Sequence, residues 1–287
     1  MNNSIKSQLK KIAPIRYVMH KRNLSRQFKP EILRLADKDL PKNSQAQSIV
    51  FFTAHKCASV YINNILRKIV SDAGVIPIDF AKYLWQDGRS IESILNSTQK
   101  AEKAFKPKGY FYGSFREFRA IPDLDQYKII LILRDPRDVL TSLYFSHAYS
   151  HEKPSYLLGK QPEWRIKALS QTLDEFVIAN LPVYKDRYAQ YTQNLLGKPN
   201  VLFLKYEEMV DDFESWLDKL VKFISIEVNP ERITEIKNQA NLNVNKENVY
   251  AHKRQVTPGD HQRKLQPETI ALLNLELKTI LEQLDYH

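Results

Sequence analysis

Three short runs of residues are so uniformly apolar that each must be covered on both sides, and each leads through a polar turn into a helical pattern. The clearest is Lys128-Ile129-Ile130-Leu131-Ile132-Leu133, followed by Arg134-Asp135-Pro136-Arg137. A strand with one wet face alternates apolar and polar residues, whereas a strand without alternation belongs in a parallel sheet flanked by helices. Ser48-Ile49-Val50-Phe51-Phe52-Thr53 and Val201-Leu202-Phe203-Leu204-Lys205-Tyr206 have the same character. After the first of these, apolar residues fall at 61, 62, 65, 66, 69 and 70, which is helical spacing; after the second, residues 213–223 are amphipathic. Pro136 suits a first helical turn, where its missing N–H costs nothing. Strand–turn–helix units in series predict an α/β fold, a central parallel β-sheet flanked by helices, with ligands held at the carboxyl ends of the strands.

A chain of 287 residues, 43% of them hydrophobic, can bury such a core. Residues 1–45 are basic and punctuated by Pro14, Pro30 and Pro41, so an N-terminal extension is expected, irregular or carrying a small helix, ahead of a domain over 46–287. Forty-three Lys and Arg against thirty-three Asp and Glu leave a formal charge of +10, which calls for an anionic partner: a nucleotide, a nucleic acid, a sulfated polymer or a membrane surface. The single cysteine, Cys57, excludes an internal disulfide framework and a cysteine-rich metal site, and points to a reducing compartment. With no long apolar run, a cytoplasmic protein without membrane attachment is expected.

The turns therefore carry the functional expectations. In Thr53-Ala54-His55-Lys56-Cys57-Ala58-Ser59-Val60-Tyr61, a helix start offers unpaired N–H groups and the positive end of its dipole to a phosphate, and Lys56 adds a full charge. Small residues at 57–59 let the phosphate approach the backbone, and Ser59 adds a hydroxyl donor. A phosphoryl-transferring loop of the form G-x-x-x-x-G-K-[ST] would need glycines that this segment lacks.

At these residues the chain resembles the sulfotransferases that use 3'-phosphoadenosine 5'-phosphosulfate (PAPS). Their 5'-phosphosulfate loop reads T-Y-P-K-S-G-T-T-W; Thr53 and Lys56 are retained, Ser59 stands for threonine and Tyr61 for tryptophan, while positions 54, 55, 57, 58 and 60 depart. The resemblance is closer at Arg134-Asp135-Pro136-Arg137-Asp138-Val139-Leu140-Thr141-Ser142-Leu143-Tyr144, similar to the family's 3'-phosphate element R-[ND]-P-[KR]-D-x-x-x-S-x-[YF]. There Arg134 ends a strand and Ser142 follows two helical turns later, so both can reach one phosphate. Tyr206 matches the family's strand ending L-x-Y-E-[DE]-[LM], and Arg254 the arginine of a degenerate R-K-G-x-x-G-D-W loop, with Gln255 and Val256 departing from it. The resemblance implies a P-loop-NTPase-like sulfotransferase fold, PAPS as co-substrate and PAP as product without a metal. It also implies a donor site of Lys56, Cys57, Ala58, Ser59, Val60, Tyr61, Arg134, Ser142, Tyr206 and Arg254; Asp138, near the helix start, is expected to be structural, complementing the dipole or pairing with a basic neighbour.

Sulfuryl transfer needs in-line positioning and neutralisation of the leaving phosphate, for which Lys56 is the candidate. Many cytosolic members take the acceptor proton with a histidine upstream of the 3'-phosphate strand, but the corresponding stretch here, residues 110–117, has none. The base is left open among Asp79, Glu117 and His147. Tyr83, Trp85, Asp87, Tyr156, Trp164 and Tyr184 are expected in the acceptor wall, suiting a polar-aromatic or cationic small molecule, for example a bacterial natural product such as a saxitoxin-type alkaloid. The competing readings are a nucleotide kinase on a related fold and a non-enzymatic nucleic-acid binder; no nucleic-acid recognition module supports the latter.

Overall fold

A computed structural model describes residues 13–38, 40–41, 44–151, 153, 157, 160–240, 247–251 and 254–287. Five strands, β1 (Ile49–Thr53), β2 (Ile76–Ile78), β3 (Tyr110–Phe115), β4 (Lys128–Leu133) and β5 (Val201–Lys205), form one sheet in the order β2-β3-β1-β4-β5. Every pairing is parallel, with Val50 opposite Ile129 and Leu131 opposite Phe203. The three strands read from the sequence are β1, β4 and β5. The short edge strand β2, which contains Pro77, and the fully buried β3 complete the sheet; proline is tolerated at such an edge because no ladder bond is lost.

The non-alternating composition has the expected consequence. Val50 and Phe52 of β1 and Ile129, Leu131 and Leu133 of β4 enter one core; Ile49, Phe51, Ile130 and Ile132 enter the other. Successive side chains point to opposite faces, so both faces need a cover. On one face lie helix α1 (Ser59–Asp72), through Ile62, Leu66 and Ile69, and the helix Phe213–Ile224, through Trp216, Leu217 and Leu220. The other face takes α2 (Pro136–Phe145), through Val139, Leu140 and Leu143, and the long α3 (Leu173–Asn194), through Phe176, Val177 and Tyr188.

The described part of the basic extension carries two helices, Ala13–Gln27 and Lys29–Leu35. Pro14 and Pro30 lie at helix starts, where proline favours the helix. Leu24 and Phe28 join the core beneath the sheet, and Arg34, fully buried, donates to the carbonyls of Lys103 and Lys38. Residues 1–12 of the extension fall outside the described residues, as do Tyr156, His252 and Lys253. No helix among the described residues is long and apolar enough to cross a membrane.

Two tyrosines of α3 fix the functional end of the sheet. Tyr191 donates its hydroxyl to the carbonyl of Thr53 and Tyr188 to that of Arg134, each at 2.6 Å, which ties the carboxyl ends of β1 and β4 to one rigid helix. Both tyrosines are fully buried. Tyr191→Phe would leave the Thr53 carbonyl short of its partner in a dry setting, and a loss of about 1–3 kcal/mol is expected in urea unfolding. An unchanged midpoint would show that this tie is dispensable.

Candidate functional site

The turn after β1 is built by two residues in the left-handed region, Lys56 at φ 63° and Ala58 at φ 54°. Ala58 caps α1 without any side-chain bond, so the first N–H groups of the helix face the turn unsatisfied by a cap. The family pattern carries glycine at this position, and the structure shows why: the backbone conformation disfavours a side chain. Cys57 is buried with its Sγ 3.5 Å from the His55 carbonyl, and burial pushes its thiol up to about 12, so it fills space and is not a nucleophile. Ser59 Oγ accepts from Arg116 Nε at 3.2 Å. Val60 is 45% exposed on the far side of the helix, and Tyr61 packs on Phe213 with ring centroids 6.2 Å apart.

Lys56 and Arg134 meet, with Arg134 Nη1 3.4 Å from the Lys56 carbonyl. Burial and the charges of Arg134, Arg254 and Arg116 lower the Lys56 ammonium to about 8. Lys56, Arg134, Arg254 and Arg116 thus gather at one strand end, and among the described residues neither Lys56 nor Arg116 pairs with a carboxylate, which suits the site to an anion. Arg134 is held by Asp138 at 3.0 Å and lies over the Tyr206 ring, 4.6 Å from its centroid; its buried Nε has no protein partner among the described residues. Tyr206 donates to the carbonyl of Val256 at 2.9 Å, and Asp138 accepts from the backbone of Gly259 and His261 and from His261 Nδ1. Burial alone would raise the Asp138 carboxyl, but the His261 bond and Arg134 together hold it well below the usual carboxylate range. Arg254 lies over Phe145, 4.2 Å from the ring centroid, and pairs with Asp260 and Glu247. Ser142 is buried on α2. Lys56, Ser59, Arg134, Tyr206 and Arg254 therefore belong to one cluster.

The candidate bases occupy its other flank. Asp79 follows β2 and caps the helix Phe80–Gln86, accepting from the Lys82 N–H at 2.9 Å, while its own N–H donates to Glu31. Burial raises its carboxyl to about 6 against the opposing pull of the Lys82 bond and Arg116. Both carboxylate oxygens of Glu117 are engaged, one by Arg187 and the other by Arg119 at 2.5 Å. His147 lies in a π-helical turn, Ser146–Ser150, its ring 5.0 Å from Trp164 and 5.7 Å from Phe176; burial, then Lys56 and Arg165, lower it to about 4. Trp85 and Trp164 both pack against His151, whereas Tyr83 is buried against Phe28 and Asp87 pairs with Lys21. Tyr184 packs edge-on against His55.

Three site residues had no sequence signal. Arg116 and Arg187 sit in no motif, and His55 showed only as a departure from the loop pattern. Each is placed by the meeting of β1, β3 and α3, which periodicity does not encode. Among the described residues no three His, Cys, Asp or Glu side chains are grouped to hold a metal.

Comparison with known proteins agrees with this geometry. A family model described as the sulfotransferase domain matches residues 119–267. The luciferin sulfotransferase of Photinus pyralis is 28% identical over 152 residues, 51% of this chain and 36% of that protein. The 3-beta-hydroxysteroid sulfotransferase of Cavia porcellus is 25% identical over 233 residues, 77% of this chain and 73% of the relative. Among solved structures, mouse sulfotransferase SULT7A1 complexed with PAP aligns with a TM-score of 0.53 at 20% identity, over 85% of this chain and 91% of that one. Retinol dehydratase in complex with retinol and PAP aligns at 0.52 and 14%, over 83% and 82%. With more than half of its length matched by the family model, and with the same sheet, the chain belongs to the sulfotransferase domain family.

Proposed function

We propose that the protein transfers a sulfuryl group from PAPS to a hydroxyl or amine of a small molecule. The observation that carries this reading is the contact between Arg134 and the Lys56 turn, which brings the two phosphate-binding motifs of the sequence to a single cluster. The 5'-phosphosulfate is assigned to the open N–H groups of α1, Ser59 and Lys56. The 3'-phosphate is assigned to Arg134, whose Nε lacks a partner, with Ser142 and Arg254; Tyr206 supports Arg134 from behind. Cys57, Ala58, Val60 and Tyr61 contribute backbone and packing.

The acceptor oxygen or nitrogen attacks sulfur in line with the bond to the 5'-phosphate. That S–O bond breaks with its electron pair passing to the phosphate oxygen, where Lys56 neutralises the new charge. The acceptor proton passes to Asp79. Asp79 is preferred over Glu117 because a carboxyl raised to about 6 accepts a proton effectively near neutral pH, whereas Glu117 is tied to two guanidinium groups. His147, neutral at pH 7, forms acceptor wall with Trp164. Charge neutralisation is assigned to Lys56 and the arginines and not to a metal. The lone Cys57 supports a cytoplasmic setting.

The aromatic wall suits a flat ring. Arg116, Arg165 and Arg187 around it rank neutral or anionic phenols ahead of a cationic alkaloid of the saxitoxin type. A screen with labelled PAPS across phenols, steroids and such alkaloids identifies the acceptor. Transfer to none of them, in a protein that binds the nucleotide, would leave the acceptor class wrong; absence of nucleotide binding would remove the reading itself.

Two substitutions test the roles. Lys56→Ala is expected to lower kcat by about 10²-fold or more with a smaller change in PAP affinity; full turnover would remove Lys56 from the mechanism. Asp79→Asn keeps the helix cap and is expected to lower kcat by about 10²–10⁴-fold. The folded-state pKa of Asp79 lies above its unfolded value, so its contribution to stability is present below about pH 4 and is lost as pH rises through about 6. The same variant should thus be more stable than wild type by ~1–3 kcal/mol at pH 7, and the gain should vanish near pH 4. A variant less stable at pH 7 would contradict the buried, costly carboxylate.

A further inference from the structure

The loop that carries Lys56 also carries a histidine with an unusual set of neighbours. Arg187 Nη1 lies 3.0 Å from His55 Nδ1. A guanidinium only donates, so Nδ1 must accept, and the ring proton of neutral His55 must sit on Nε2. Arg187 is itself fixed from behind: Glu117 accepts from its Nη2, Arg119 holds the other oxygen of Glu117, and the guanidinium lies 4.7 Å over the Tyr184 ring. Tyr184 also packs edge-on against the imidazole, with ring centroids 6.3 Å apart. The chain Arg119, Glu117, Arg187, His55 therefore fixes both the orientation and the tautomer of one side chain. Among the described residues, Nε2 has no hydrogen-bond partner.

The strongest influences on the ring all work against protonation. His55 is lowered well below its ordinary value by burial first, then by Arg116 from β3's end, Arg187 from α3, and His151 and His147 from the π-helical turn. Lys56 follows it in the chain, and Glu117 reaches it only through Arg187. A group in this setting cannot serve as a general base: Nδ1 is occupied, Nε2 already bears the proton, and a second proton would be surrounded by cations. It can serve as a fixed donor. It precedes Lys56 in the chain, and the His147 and His151 rings of the aromatic wall are near enough for their charges to act on it, so on the sulfotransferase reading it stands where the donor nucleotide meets the acceptor.

We propose that His55 is a catalytic hydrogen-bond donor, locked as the Nε2–H tautomer by Arg187, that contacts the oxygens of the transferring sulfuryl group. The inference rests on the sulfotransferase reading and deepens it: Lys56 takes the charge that appears on the leaving phosphate, and His55 holds the group in flight. Its role differs from that of Asp79, which takes the acceptor proton.

PAPS and PAP differ by the sulfuryl group alone, so the contact can be read without knowing the acceptor. Calorimetric titration of the full chain with each nucleotide, PAPS in its inert state without acceptor, is expected to show His55→Ala weakening PAPS about tenfold or more, as for a hydrogen bond to a charged group, while leaving PAP within about twofold. His55→Gln, which retains an N–H donor, should recover much of the difference. Equal losses for both nucleotides, or none for either, would overturn the proposal. Failure of wild type to bind PAP would instead overturn the sulfotransferase reading. Histidine ¹⁵N NMR supplies a readout independent of ligand: His55 should show its unprotonated nitrogen at Nδ1 and no titration between pH 5 and 8, and Arg187→Met should release the ring to exchange tautomers. A His55 that protonates in that range in the wild-type protein, or that carries its proton on Nδ1, would also overturn the assignment.

Discussion

The carboxylate of Asp138 has no solvent exposure and receives four donors: Arg134 Nη2, the backbone N–H groups of Gly259 and His261, and His261 Nδ1. A buried charge of this kind is costly unless it is fully paired, and breaking one partner leaves the other stranded. That penalty makes the arrangement specific. Asp138 stands at the start of α2, so it joins the end of β4 to a loop more than a hundred residues further along the chain. Arg134, fixed by this anchor and by the Tyr206 ring, in turn touches the Lys56 turn. Together with the β1–β4 ladder and the two tyrosine ties of α3, this anchor sets how the turns of Lys56 and Arg134 and the loop of Gly259 sit relative to one another.

Around the anchor, the site divides by electrostatics. On the flank of Lys56 and Arg134, burial and then the neighbouring arginines lower the Lys56 ammonium, and Arg134 Nε has no protein partner among the described residues; a polyanion would answer both. On the opposite flank, burial first and nearby cations second keep His55 and His147 neutral, while burial raises the Asp79 carboxyl to about 6. One flank thus concentrates positive charge and the other holds two neutral imidazoles beside a carboxyl raised toward neutral pH, an arrangement that suits transfer of an anionic group from a nucleotide to an acceptor that loses a proton.

Much of this was legible in the residues. β4 matches its apolar run residue for residue, and β1 and β5 differ by one position at an end, because a strand buried on both faces leaves an unbroken hydrophobic signature. The edge strand β2 has three residues with a proline among them and gives no periodicity to read. The prolines of the basic extension leave loop and helix both open, because proline punctuates a loop and opens a helix equally well. In the site, Lys56, Arg134 and Arg254 were visible because their motifs are contiguous in the chain. Arg116, Arg187 and His55 were not, since their roles come from side chains that meet only when β1, β3 and α3 are packed together.

The central claim is that two separated turns grip the two ends of one doubly phosphorylated adenosine. Isothermal titration with PAP and with adenosine 5'-phosphate, which lacks the 3'-phosphate, tests it most directly. The account requires PAP to bind, with a loss of about tenfold or more when the 3'-phosphate is absent, the scale of a charge-assisted contact to Arg134. No heat with PAP, or equal affinity for the two nucleotides, would contradict it.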